Sequence, residues 1–509
     1  MAHQTDLNKV GREAFGLLEE YLRRRGPPPP PPRSNTHQYY NYAPPKNVLH
    51  SVRDPKEFDG VLIVTRRVPW RNHAGQNHYF RIIFHCSSPR LRRSSWNKRK
   101  GLNQGHDTQP AMASKMVLDL FCFTVLVLCM ANPSLEQEIF DPMDFEAMGD
   151  GETDDGQALV DAWDSACEHR APAIFVIPKR TFLAGPATFE GPCRVTPKVQ
   201  ILGTVKAVPS MNDYYNPGWF EFKHLNGLEI GGGGTLDGQG AASWNKTNCP
   251  PKRSCKSLPI SMRLLRVSNA TISNLTFMNS KGFHIGLQQS SSVTISRLRI
   301  SAPADSPNTD GIHISRSDNV MLTSLNIGTG DDCISIGQGV NNLQISDVTC
   351  GPGHGISVGS LGKYMNEEDV SGVSVRNCTV SGTTNGVRIK TWPGSPPSQA
   401  SNFTFEDIIM HNVSNPIIID QHYCPDHDCV VSPSRVKIQN VTFRRIQGTS
   451  NDPVAVKLMC SETMACENVH LQDISLIMEN NTATSNITSS CSNVKGVAVG
   501  LQNPESCLY

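Results

Sequence analysis

Short apolar, β-branched runs recur along the second half of the chain, separated by Gly, Asn, Ser and Asp. One set reads IHI at 312–314, ISI at 334–336, ISV at 356–358, VRI at 387–389, III at 417–419 and VAV at 454–456. A second set lies between them: VMLTSLNI from 320, LQISDVT from 343, VSVRNCTV from 373, FTFEDIIM from 403, VKIQNVTF from 436 and VHLQDISL from 469. Alternation of period two within such runs predicts strands with one face in a core. The first two steps of the first set are 22 residues each, 312 to 334 and 334 to 356, and later steps lengthen to about 30 through loop insertions. Hairpins would place Asn-Gly or Asp-Gly pairs between the strands, and few are present. The pattern predicts an all-β chain folded as a right-handed single-stranded parallel β-helix, in which each residue stacks over its counterpart in the next coil.

Stacking turns spacing into geometry. Asp310, Asp332 and His354 each stand two residues before the first residue of their run, at Ile312, Ile334 and Ile356. Three coils therefore place them in one column, about 4.8 Å apart at the backbone, with Asp331 beside its middle member. Arg388 aligns with His313, Ser335 and Ser357, and Lys390 lies two residues further. Carboxylates held together repel, so one keeps its proton where an isolated aspartate has lost it. A proton donor and a base can then coexist, which is the requirement of glycoside hydrolysis. Taken singly, an aspartate before a strand is ordinarily a turn residue, a histidine between glycines a loop residue, and Arg388 or Lys390 a solvated strand-edge charge. Their convergence on one face separates the group from these bland readings.

Charge divides the 509 residues in two. Residues 1–111 contain 19 Lys and Arg against 8 Asp and Glu, a net +11, and the overall +1 leaves −10 for residues 112–509. The first part holds a proline run at 27–32, then RRVPWR and SSWNKRKG without a sustained apolar period, and is expected to be mostly disordered. Its basic clusters read as solvated charge rather than a nucleic-acid surface. From Met112, MASKMVLDLFCFTVLVLCMANPSLEQ has the layout of a secretory signal, with an apolar core at 120–131 too short to span a bilayer. These features predict Met112 as the initiator, residues 1–111 as an artefactual or alternative extension, 112–134 as the signal peptide and 135–509 as the β-helix domain. A signal anchor with a basic cytosolic tail is the rival, against which Asp119 and the short apolar run both count.

Thirteen cysteines follow Ala131, and short loops suggest Cys249/Cys255, Cys424/Cys429 and Cys460/Cys466 as disulfides, with Cys167/Cys193, Cys333/Cys350 and Cys491/Cys507 as further candidates and Cys378 left over. A zinc site would need CxxC pairs or histidines in register, so no metal is expected. Nine N-x-S/T sequons, at Asn245, Asn269, Asn274, Asn377, Asn402, Asn412, Asn440, Asn480 and Asn486, suit a secreted glycoprotein, although Asn/Thr-rich strands also generate them by chance.

SPNTDGIH, TGDDCISIG, CGPGHGISVGSLG and GVRIKTW, in that order, resemble the four signature segments of the polygalacturonases of glycoside hydrolase family 28. The similarity runs from about Phe140 through GDGETDD and GTLDGQG to the C-terminus, and ISAPADSPNTDGIHISRS, GSLGKYMNEED and SNPIIIDQHYC look most like the pollen-type exopolygalacturonases of plants. The resemblance implies hydrolysis of α-1,4 bonds between galacturonates in de-esterified pectin, with inversion, in the cell wall and without a cofactor. It implies Asp331 as general acid, Asp310 and Asp332 as the holders of the attacking water, and His354 as support for the acid's protonation state. Arg388 and Lys390 would grip substrate carboxylates, and Tyr423 and Asn308 match further substrate contacts. Carboxylates one coil apart lie nearer the separation of retaining enzymes, so inversion rests on the resemblance rather than on distance. The expected partner is pectin or polygalacturonate, with no nucleic acid, no stable membrane association after signal cleavage, and a monomeric state.

The leading segment EIFDPMDFEAMGDGETDD departs from the family's GA-x-GDG turn, with Glu146-Ala147-Met148 in place of the glycine-alanine pair, which is expected to perturb the N-terminal cap. Exo action is favoured over endo; a calcium-dependent pectate-lyase-like eliminase and an inactive wall-binding protein are the other classes. The intact Asp310, Asp331, Asp332 and His354 count against inactivity. Sequencing the N-terminus of the mature native protein is expected to return a start close after the 112–134 segment, and any peptide from residues 1–111 would contradict that.

Overall fold

The computed structural model describes residues 61–71, 77–87, 137–244, 258–425, 429–479 and 486–508. The 112–134 segment, the Cys249/Cys255 pair and the sequons at Asn245 and Asn480 lie outside these residues. The chain divides into two units, residues 1–109 and 110–509. The first contains an antiparallel strand pair, Val61–Arg71 with Asn77–Ser87, where the sequence predicts no strands. VLIV and FRIIF there are β-rich, but the basic residues between them obscure the alternation.

The second unit is built from stacked parallel strands. An 11-stranded sheet runs in chain order from Ala187–Glu190 to Thr488–Ser492, and the longer strands from Ser268–Met278 to Val494–Asn503 form most of a 17-stranded sheet. Register follows the spacing of the repeats: Ile312 pairs with Ile334, Ile334 with Ile356, Ile356 with Val387 and Val387 with Ile417. These side chains, with the parallel row Ile314, Ile336, Val358, Ile389 and Ile419, are buried and form one wall of a continuous apolar interior. At roughly 25 cal/mol per Å² of apolar surface removed from water, such columns supply the principal driving force for the coil.

Each long strand bends at a residue in the left-handed backbone region. The bends stack in a column through Asn274, Arg297, Ser324, Asp347, Asn377, Asp407, Arg445 and Asp473, with φ between 50° and 57°. A second column includes Asn269, Asn319, Asn342, Asn402, Asn440 and Asn468. Asparagine tolerates this conformation, and its amide can bond the next coil: Asn342 donates to Asn319 at 2.7 Å, Asn440 to Asn402 at 3.0 Å and Asn468 to Asn440 at 2.8 Å. The sequon asparagines Asn269, Asn274, Asn377, Asn402, Asn412 and Asn440 all have positive φ. A corner asparagine followed by a strand Thr or Ser writes a sequon, so these six have a structural reason to exist whether or not they carry sugar.

The N-terminal end is closed by the helix Gly156–Glu168, which the sequence reading missed. Its Leu159, Ala162, Trp163 and Ala166 face inward, and Trp163 meets Phe175, Phe189 and Phe222 at ring-centroid distances of 6.0, 5.5 and 5.9 Å. The Cys167–Cys193 disulfide ties down its last turn. The unusual Glu146-Ala147-Met148 turn does not disrupt this cap. Glu146 takes the left-handed conformation at φ 69°, and the buried Asp155 carboxylate accepts from the Met148 and Gly149 amides at 2.7 and 3.1 Å.

Candidate active site

The site forms where three coils present polar residues at the start of strands of the 11-stranded sheet. The TGDDC turn enters Ile334–Ile336 and is held from the preceding coil, where the Gly330 amide donates to Thr309 Oγ1 at 3.1 Å. A Cβ at Gly330 would sit 2.0 Å from the Ser306 carbonyl oxygen, so only glycine lets the turn approach this closely. Cys333, the next residue after the aspartates, is bonded to Cys350. The Cys424–Cys429, Cys460–Cys466 and Cys491–Cys507 disulfides also form, and Cys378 is free and buried, as the spacing suggests.

Asp310 and Asp332 are 5% and 1% exposed. Asp332 is enclosed by donors: Arg388 Nη2 at 2.8 Å and Ser357 Oγ at 2.7 Å on Oδ1, and Lys390 Nζ at 2.8 Å on Oδ2. Burial opposes its charge, but Arg388 and Lys390 outweigh burial and hold the carboxyl below the usual carboxylate range. Asp310 has one side-chain donor among the described residues, Ser335 Oγ at 2.6 Å on Oδ2. Burial, then the charges of Asp331 and Asp332, push its carboxyl well above the usual range. Neighbouring coils thus give two aspartates opposite tendencies.

Asp331 points elsewhere. Its Oδ1 accepts from the Asp332 amide at 2.8 Å and lies 2.9 Å from His354 Nδ1, while Oδ2 has, among the described residues, only the Asn308 side-chain amide at 3.4 Å. Its side chain is 21% exposed and that of His354 41%. The backbone column of Asp310, Asp332 and His354 therefore does not extend to the side chains, because His354 joins Asp331. The reason is local: Gly353 and Gly355, at φ 142° and 87°, break the regular strand conformation on either side of His354.

Arg388 and Lys390 are 12% and 8% exposed at the side chain and both lie on Asp332, so their first visible role is to neutralise a buried carboxylate. Tyr423 roofs them, its ring centroid 5.8 Å from Arg388 Cζ and 5.1 Å from Lys390 Nζ, with Trp392 edge-on at 5.6 Å. All eight residues singled out from the sequence fall into this one neighbourhood. Ser335, Ser357 and Trp392 belong to it as well, and register alone places the two serines beneath the aspartates. Asp331, Asp332 and His354 offer oxygen and nitrogen atoms within 4.8 Å of one another, yet both oxygens of Asp332 already face cations. A metal ion would have to displace them.

Residues 167–507 match the description "Glycosyl hydrolases family 28". The chain is 43% identical over 387 residues to a polygalacturonase of Gossypium barbadense, covering 76% of this chain and 94% of the relative. It is 44% identical over 369 residues to an exopolygalacturonase of Platanus acerifolia, covering 72% and 97%. A hyperthermoactive exopolygalacturonase from Thermotoga maritima superposes with a TM-score of 0.59 at 18% identity, over 71% of this chain and 90% of that one. The fold is the right-handed parallel β-helix expected from the repeats.

Lys390→Met is expected to lower the unfolding free energy by about 3 kcal/mol near neutral pH, because it leaves a buried carboxylate with one cation fewer. A carboxyl whose folded pKa is depressed contributes stability above its unfolded value and loses it as the pH falls through the folded value. The deficit of the variant against wild type, followed by chemical denaturation, should therefore shrink toward acid pH.

Proposed function

The chain belongs to glycosyl hydrolase family 28, and we propose that it hydrolyses α-1,4 bonds between galacturonates in de-esterified pectin, by inversion and from a chain end. The observation that carries this reading is the division of labour among three aspartates at one site. Asp332 is held ionised by two cations, Asp310 is pushed toward its protonated form, and Asp331 turns a lightly bonded oxygen toward solvent.

In the proposed reaction Asp331 Oδ2 carries the proton to the glycosidic oxygen as the C1–O bond breaks. A water held by Asp310 and Asp332 attacks C1 and gives up a proton to that carboxylate pair, which then releases it to solvent as Asp331 is reprotonated from solvent. His354 and the Asp332 amide fix Asp331 Oδ1, which leaves Oδ2, the more lightly bonded oxygen, for the leaving group. Asn308 steadies that oxygen from the preceding coil. The substrate is a polyanion and residues 112–509 carry a net −10, so attraction must be local. In this reading Arg388 and Lys390, which lie under the Tyr423 ring, provide it.

The five disulfides among the described residues support an oxidising, extracellular setting, which fits a cell-wall substrate. Among the described residues no helix is long and apolar enough to cross a membrane. Exo action is supported by the exopolygalacturonase names of relatives such as that of Platanus acerifolia, although the Gossypium relative is named a polygalacturonase alone.

Asp331→Asn is expected to reduce release of reducing ends from polygalacturonate by at least about a thousandfold while leaving thermal unfolding unchanged; substantial residual activity would remove Asp331 from its role. The wild-type product profile should show monomeric galacturonate from the earliest time points, whereas a ladder of oligomers would establish endo action.

A further inference from the structure

Beneath the carboxylates the coil repeats one contact. Ser335 Oγ donates to Asp310 at 2.6 Å and Ser357 Oγ donates to Asp332 at 2.7 Å, each across 25 residues. Both follow from one register, since Ser335 pairs with Ser357 in adjacent strands. A serine hydroxyl has a single proton, so its next partner decides what it can do for the carboxyl. Here the two coils differ. Behind Ser357 stands Arg388, whose Nε donates to Ser357 Oγ at 3.0 Å. Behind Ser335 stands His313, its Nδ1 at 2.8 Å from Ser335 Oγ.

A guanidinium only donates. The chain Arg388 N–H to Ser357 O–H to Asp332 therefore runs in one direction and serves the ionised carboxylate alone. A neutral imidazole can donate or accept at Nδ1, according to its tautomer. When Asp310 is ionised, His313 Nδ1–H donates to Ser335, and Ser335 donates to Asp310. When Asp310 is protonated, its O–H donates to Ser335, Ser335 donates to Nδ1, and the imidazole carries its proton on Nε2. We infer that His313, acting through Ser335, is a positioning residue that lets the Asp310 carboxyl either hold or release its proton, whereas Arg388, acting through Ser357, keeps Asp332 ionised.

The surroundings allow this reversal. Phe283 packs on the His313 ring at 4.9 Å, and burial pushes the imidazole down to about 4, so it stays neutral while it changes tautomer. Among the described residues, Asp332 and Lys390 are the charged groups that act most on His313, and Asp331, Asp332 and Lys390 those that act most on Asp310. His284 of the preceding coil faces backbone groups, with Nδ1 3.2 Å from the Asp310 carbonyl and Nε2 3.3 Å from both the Ser280 amide and the Ser301 carbonyl, and burial takes it down to about 4 as well. Neither imidazole therefore adds charge near Asp310 at mildly acidic pH.

This inference rests on the proposed placing of Asp310 on the water side, but it can be read without substrate. In the full-length protein labelled with ¹⁵N-histidine, the His313 resonances, assigned with His313→Gln, should pass from an Nδ1–H to an Nε2–H tautomer as the pH falls, with the ring neutral throughout. Asp310→Asn should abolish the transition. A single tautomer across the range would overturn the inference, even if the enzyme cleaves polygalacturonate as proposed. Inactivity toward polygalacturonate with the tautomer change intact would instead defeat the substrate assignment alone. In kinetics, the charge-assisted chain to ionised Asp310 is the stronger one, so His313→Phe should move the acid limb of kcat/KM up by about half a pH unit. His313→Gln, able to donate and accept, should restore it, and Ser357→Ala should lower kcat without moving the limb. A limb unmoved in His313→Phe, with unfolding unchanged, would also overturn the inference.

Discussion

Backbone hydrogen bonding between successive coils is the interaction on which the site depends. It locks Ile312 over Ile334 and Ile334 over Ile356, and every polar residue at a fixed offset is carried into register with them. Two aspartates 22 residues apart thereby become neighbours, as do the serines that meet them, Ser335 and Ser357, which are likewise 22 residues apart. The apolar interior and the site are products of the same repeat, since alternate residues of one strand face the core and the cleft.

Register also brings charges together that would not choose to be together, and the coil resolves this by varying what lies beside each copy. The Asp332 coil is followed by Arg388 and Lys390, which neutralise it, while the Asp310 coil has a neutral histidine behind its serine. Buried ion pairs of this type contribute little net stability, yet removing one partner is costly because the other charge remains buried. The arrangement therefore fixes protonation states more than it holds the fold together. Asp331, outside the column, escapes both environments and keeps access to solvent.

Much of this was legible in the sequence because the repeats are regular. Spacing gave the parallel coil, the pairing of Asp310 with Asp332, and the alignment of His313, Ser335, Ser357 and Arg388. Three things escaped it. The tilt of His354 toward Asp331 depends on the φ values of two flanking glycines, which a strand register does not encode. The capping helix Gly156–Glu168 carries a helical period in ALVDAWDSAC, but it lies outside the repeats that organise the reading. The roles of Ser335 and Ser357 were hidden because a serine acquires chemistry only from the partner it meets. The sequons carry a second meaning: their number suits a glycoprotein, and six of the asparagines also meet a backbone need at the corners.

Stacked copies of one element thus hold carboxyls with opposite protonation tendencies at one site. Titration of the protein labelled with ¹³C at aspartate carboxyls, with Asp310 and Asp332 assigned by their asparagine variants, tests it most directly. Asp332 should stay ionised below the ordinary aspartate range while Asp310 takes up its proton above it. Two carboxyls titrating together in the ordinary range would contradict it.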